Sequence, residues 1–267
     1  MDAIAEVTTE EAVLLRDDQD GLTTLTLNRP AQYNAMSEEV LAALQRELEA
    51  IAGDSAVRVV VLAAKGKAFC AGHDLKQMRA NPQQSYYHDL FEQCSRMMMI
   101  INQIPQPVIA KVQGLATAAG CQLVAACDLA VAADTARFAT SGINVGLFCS
   151  TPAVAVSRNV SRKKALEILL TGEFMDAQTA LEQGLVNRVV PAAELDTAVA
   201  ALAGAIMAKS AVAVSMGKEM FYKQSEMGME DAYHYASEVM ACNMMADDAG
   251  EGIDAFMEKR QPVWQGK

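Results

Sequence analysis

The apolar and polar positions of this chain change rhythm several times. Residues 21–28, GLTTLTLN, alternate, with Leu25 and Leu27 on one face and Thr24 and Thr26 on the other, which predicts a strand. From Ser37 the period becomes helical. Ser37 reads as an N-cap, Glu38 and Glu39 fill the first turn, and Val40, Leu41, Leu44, Leu48 and Ile51 share one face. VRVVVLAA (57–64) is an almost unbroken β-branched run, the pattern of a strand buried on both faces. Residues 84–104 predict a Met-rich helix, 108–114 a strand, 118–127 a helix of small residues, and 128–134 and 136–140 two short strands. This alternation predicts an α/β architecture with parallel strands and crossover helices.

From about residue 160 the pattern is different. SRKKALEILLTGE and DAQTALEQGLV predict two helices that stop near Gly172 and Gly184, NRVVP predicts a short strand, and nearly everything beyond Glu194 is helical. The last amphipathic stretch, 233–248, carries a methionine stripe, which predicts packing or a subunit contact. The expected organisation is a core over residues 1–197 and a helical region over 198–267.

Hydrophobic residues make up 52% of the 267 residues, enough for a sizeable core. The net charge of -11 opposes a nucleic-acid or anionic-membrane partner, which would need basic surface. The six cysteines form no CxxC pair and match no zinc spacing, so no metal is expected. Buried free thiols imply a reducing compartment. The acidic N-terminus has no hydrophobic run, and no long apolar stretch escapes interruption, so a cytoplasmic protein without a membrane span is expected.

Two turns offer bare backbone just after a strand: AFCAGHD, after 57–64, and GLATAAGCQ, after 108–113. Their small side chains let a ligand approach main-chain N–H groups, and the second turn opens a helix whose dipole favours negative charge. Two convergent N–H donors form an oxyanion hole. Close helix–sheet packing would explain either turn taken singly.

The pieces LTLNRPAQYNAM, VLAAKGKAFCAGHDL, PVIAKVQGLATAAGCQLVAACDLAVAA, FATSGINVGLF, ALEILLTGE, GLVNRVVP and the terminal FMEKR run in one order along nearly the whole chain. Together they resemble the enoyl-CoA hydratase/isomerase family, the crotonases, and GLFCSTPAVAVSR is similar to its branch of hydratase-domain-containing proteins. The resemblance implies a spiral of ββα units with a C-terminal helical trimerisation region, assembled as a homotrimer or dimer of trimers. It implies a coenzyme A thioester as substrate and no tightly bound cofactor. It places the oxyanion donors on the backbone of Ala71 and Ala119, and substrate contacts at Arg29, Ala31, Lys67, Ala68, Gly72, Asp74, Leu75, Ala118, Gly142 and Lys259. Lys65, Lys76 and Arg260 are further candidates for the coenzyme phosphates, and Tyr86, Tyr87 and Met97 to Met99 for an acyl pocket.

The family's hydratases use two glutamates, and the matching positions here hold Gln122 and Gly142. An amide neither deprotonates water nor protonates a carbon near neutral pH, and a positioned acid or base is worth roughly 10²- to 10⁴-fold. The resemblance therefore implies a nominal enoyl-CoA hydratase with weak hydration. His73 opens another possibility. A histidine at this point resembles that of family members that decarboxylate malonyl-type thioesters, a reaction needing an oxyanion hole but no glutamate. Thioester hydrolysis and non-catalytic acyl-CoA binding also stand, as does a His73 that merely follows the turn. Cys149 stands where those decarboxylases place a tyrosine.

Overall fold

The computed structural model describes residues 11–267. The chain opens with an antiparallel hairpin of β1 (Leu14–Gln19) and β2 (Leu22–Leu27). Helix α1 (Glu38–Ala52) follows, capped by Ser37, whose hydroxyl accepts from the Val40 N–H. Strands β3 (Val59–Ala64) and β4 (Ala68–Cys70) lead to helices α2 (Leu75–Ala80) and α3 (Gln84–Gln103). Strands β5 (Val108–Val112) and β6 (Leu115–Thr117) lead to α4 (Ala119–Ala126). Strands β7 (Leu129–Ala133) and β8 (Arg137–Ala139) lead to α5 (Ser150–Asn159) and α6 (Arg162–Thr171). Then come β9 (Met175–Asp176), α7 (Ala177–Glu182) and β10 (Arg188–Val190). Helices α8 (Leu195–Met207), α9 (Ala211–Gln224), α10 (Met229–Met244) and α11 (Asp247–Glu258) complete the chain.

After the β1–β2 hairpin, each consecutive strand pair is split between two sheets. One sheet has the order β1-β2-β3-β5-β7-β10, the other β4-β6-β8-β9. From β2 to β10 the larger sheet is parallel, as is β4-β6-β8 in the smaller. Repeated strand–strand–helix turns thus wind into a spiral, the expected crotonase-like α/β fold.

Strand β3 is buried on both faces, as its sequence requires. Val60 and Leu62 belong to the main core with Leu41, Leu44, Leu48 and Ile51 of α1. Val59, Val61 and Ala63 face the other way, where Leu195, Val199 and Ala203 of α8 cover them. The expected division after residue 197 falls inside α8, a helix that belongs to the sheet's own packing. Helix α9 is also tied inward. Lys218 Nζ donates to the carbonyls of Ile101 and Gln106 at 2.7 and 2.8 Å and pairs with Asp128 at 2.7 Å. Tyr222 donates to the other Asp128 oxygen at 2.8 Å.

The methionine stripe of α10 is not internal packing. No residue of α10 is buried, and Met240, Met244 and Met245 stand exposed. Phe256 and Met257 of α11 are exposed as well. Among the described residues no single helix is long and apolar enough to cross a membrane.

Candidate functional site

The two bare turns lie against each other. A Cβ on Gly72 would stand 3.4 Å from the Ala119 nitrogen and 3.2 Å from the Thr117 carbonyl oxygen, so only glycine allows the approach. Gly72 also has φ +94°, in the left-handed region. A cavity of about 620 Å³ opens beside this junction, and Ala71, His73, Ala118 and Ala119 are among its walls.

The expected donor at Ala71 must be corrected. Its N–H is already given to the Tyr33 carbonyl at 3.0 Å. The next bonds explain which group is free. Met36 donates to the Gly72 carbonyl at 2.8 Å, and Asp74 donates to the Met36 carbonyl at 3.1 Å. Both lie on one side of the extended backbone, so the His73 N–H between them points the other way. Among the described residues it has no acceptor, and neither has the Ala119 N–H at the first position of α4. The geometry thus leaves the His73 and Ala119 amides unspent, and not that of Ala71. The motif AGHD located this turn, but strand-pairing geometry decides which amide is spent.

The backbone strain sits one residue before the second donor. Ala118 has φ 50° and ψ −120°, whereas Ala119 is helical. A methyl-bearing residue in that conformation costs on the order of 1–3 kcal/mol and persists where surroundings enforce it.

His73 is not a bland surface residue. Its Nε2 is buried without a partner, and the ring meets Phe91 edge-on with centroids 5.3 Å apart. Burial pulls its pKa down to about 4, so the imidazole is neutral at physiological pH. Asp74 caps α2 by accepting from the Lys76 and Gln77 N–H groups. Arg29 is not a free phosphate ligand: it donates to the Ala35 carbonyl and reaches Asp74 at 3.4 Å.

Ala31, Leu75 and Lys76 line the cavity, whereas Lys65, Lys67, Ala68 and Lys259 do not. Arg260 is held by Glu251 and Glu258 at 2.6 Å each. The acyl-pocket expectation also shifts. Met97 and Met98 are core residues, Met99 faces solvent, and neither Tyr86 nor Tyr87 reaches the cavity. Phe91, Met78, Leu147 and Phe148 supply its apolar wall instead. Phe91 lies one helical turn beyond Tyr87 on the same helix, and the sequence pattern alone does not say which turn faces the ligand.

Gln122 is only 4% exposed, and its Oε1 has no partner. Gly142 lines the cavity under a tightly closed loop, where a Cβ would stand 2.6 Å from the Leu147 carbonyl oxygen and 2.8 Å from Cys149 Sγ. Burial pushes the Cys149 thiol up, and Cys121 is raised to about 12, so neither is a ready thiolate. Among the described residues no cluster of metal-ligating side chains is present.

Comparison with known proteins identifies the family. Residues 17–267 match the family model described as enoyl-CoA hydratase/isomerase. The rat enoyl-CoA hydratase domain-containing protein 3, mitochondrial, is 46% identical over 246 residues, covering 92% of this chain and 82% of the relative. The crystal structure of its human counterpart superimposes with a TM-score of 0.92 at 46% identity, covering 94% of this chain and 100% of that one. An enoyl-CoA hydratase structure from Mycobacterium smegmatis gives 0.94 at 59% identity, covering 95% and 99%.

The relatives correct one expectation. Those from rat, mouse, Xenopus laevis, human and Danio rerio are all named mitochondrial, which points away from the cytoplasm. Free thiols report a reducing compartment and do not say which one. With the spiral fold, the paired turns and a family match over almost the whole length, the chain belongs to the enoyl-CoA hydratase/isomerase family.

Proposed function

We propose that the cavity binds a coenzyme A thioester and that the His73 and Ala119 N–H groups stabilise negative charge on the thioester oxygen. The observation that carries this reading is the pair of unspent amides brought together across Gly72 in one cavity wall. Such donors are fixed before reaction, and removing one costs about 10²- to 10³-fold in comparable enzymes. Lys76 on the rim is a point charge suited to a coenzyme phosphate, with Lys67 and Lys259 as weaker candidates.

Hydration of an enoyl thioester is expected to be slow. Gln122 supplies no base, and the loop over Gly142 leaves no room for a side chain. Crotonyl-CoA hydration, followed for the wild type beside Gln122→Glu, tests this. A wild-type rate at least about 100-fold below the variant or an ordinary hydratase is expected. An ordinary hydratase rate in the wild type would overturn the assignment.

A second reading, decarboxylation of a malonyl-type thioester, is favoured by the neutral, unpartnered His73 ring beside the donors. Loss of CO₂ leaves an enolate that needs the amides and no carboxylate base. Release of CO₂ from malonyl-CoA separates this reading from hydrolysis, which yields free thiol, and from simple binding, which yields neither. We also propose a homotrimer or dimer of trimers, supported by the exposed apolar side chains of α10 and α11. Sedimentation of the intact chain tests it.

A further inference from the structure

A pair of hydroxyls meets at the cavity wall. Thr117 closes β6, Ser141 opens the short helical turn Ser141–Val145, and their hydroxyl oxygens are 2.6 Å apart. The Thr117 side chain is buried, and among the described residues Ser141 is the sole partner of its hydroxyl. A buried O–H without an acceptor is costly, so Thr117 donates and Ser141 accepts. The Ser141 proton is then left over, with no acceptor among the described residues, and Ser141 lines the cavity.

Its position is next to the proposed oxyanion site. Thr117 lies two residues before Ala119, and its carbonyl oxygen is 3.2 Å from where a Cβ on Gly72 would stand. Ser141 therefore shares the cavity lining with His73 and Ala119. Those two amides already serve the thioester oxygen. A third donor there needs a second acceptor on the ligand, and Phe91, Met78, Leu147 and Phe148 on the apolar wall offer none.

We infer that Ser141 is a third hydrogen-bond donor to the ligand, selecting acyl groups that carry an oxygen acceptor close to the thioester, such as a β-oxo group. Thr117 is a positioning residue that turns the Ser141 proton toward the cavity. The inference rests on the coenzyme A thioester reading and narrows it from any acyl chain to an oxygenated one.

Acetoacetyl-CoA and butyryl-CoA have the same chain length and differ at the β-carbon, so their affinities, measured by calorimetric titration, isolate this contact. The wild type is expected to favour acetoacetyl-CoA by about 3- to 10-fold, the worth of one neutral hydrogen bond. In Ser141→Ala the ratio falls to near one, and in Thr117→Val it falls part of the way because the serine hydroxyl can turn. Equal affinities in the wild type overturn the inference without any variant being needed. An undiminished ratio in Ser141→Ala, shown to be folded by its thermal melt, overturns it as well. If neither thioester binds the wild type, the thioester reading itself fails; if both bind alike, only the role of Ser141 does.

Discussion

A Cβ placed on Gly72 would stand 2.9 Å from the Cβ of Ala118. The two turns that form the site are therefore interlocked, each filling the space the other leaves. Gly72 takes the left-handed conformation and Ala118 the strained one, so the strain is distributed across both sides of the junction. Gly72→Ala adds a methyl to a contact already closed and forces φ +94° on an L-residue. It is expected to cost roughly 2–4 kcal/mol of stability in urea titration and to weaken acyl-CoA binding at least about 10-fold. A variant as stable as wild type would mean that the turns do not lock.

The His73 ring makes stability depend on pH. Burial holds its pKa at about 4, against an ordinary 6.5. Between those values the unfolded chain binds more protons than the native one. The contribution of the neutral ring is thus complete above about pH 6.5 and is lost as pH falls toward 4, by up to roughly 3 kcal/mol. Comparing urea midpoints of wild type and His73→Asn across that window checks it: the variant should lose this component of the slope. Parallel pH profiles would show that the ring titrates normally.

Helix α9 is held by a buried ion pair, and desolvation lowers the Lys218 pKa against the pull of Asp128. Lys218→Met leaves Asp128 with only the Val108 N–H and the Tyr222 hydroxyl, and strands two carbonyls. A loss of roughly 3–5 kcal/mol is expected, in a single cooperative transition because α8 packs on the sheet and α9 is tied to the core through Lys218 and Tyr222. A separate early transition confined to the C-terminal helices would contradict that unity.

Much of this was legible in the residues. Alternation gave β2, the β-branched run gave β3, and Ser37 gave the start of α1. The small residues of the two turns pointed to backbone chemistry. What was not legible depends on partners far away in sequence. The three-residue strands β4 and β6 are too short to show a period, and β8, though readable over 136–140, carries no sign of its partners, so the second sheet was not legible. The resemblance points to Ala71, and no local pattern reveals that Tyr33 takes the Ala71 N–H. Arg29, read as a phosphate ligand, is occupied by Asp74, 45 residues away. Gln122 and Gly142 were readable as substitutions, but the closed loop that makes Gly142 obligatory was not.

Two amides polarising one carbonyl are the centre of the proposed site. Isotope-edited infrared spectroscopy of acetyl-CoA labelled with ¹³C at the thioester carbonyl reads that polarisation directly. Binding to the wild type is expected to lower the carbonyl stretching frequency, and Ala119→Pro, which deletes one donor, should remove much of the shift in protein shown to be folded by its thermal melt. A ligand that binds the wild type with its carbonyl frequency unchanged from that in water would contradict the oxyanion site.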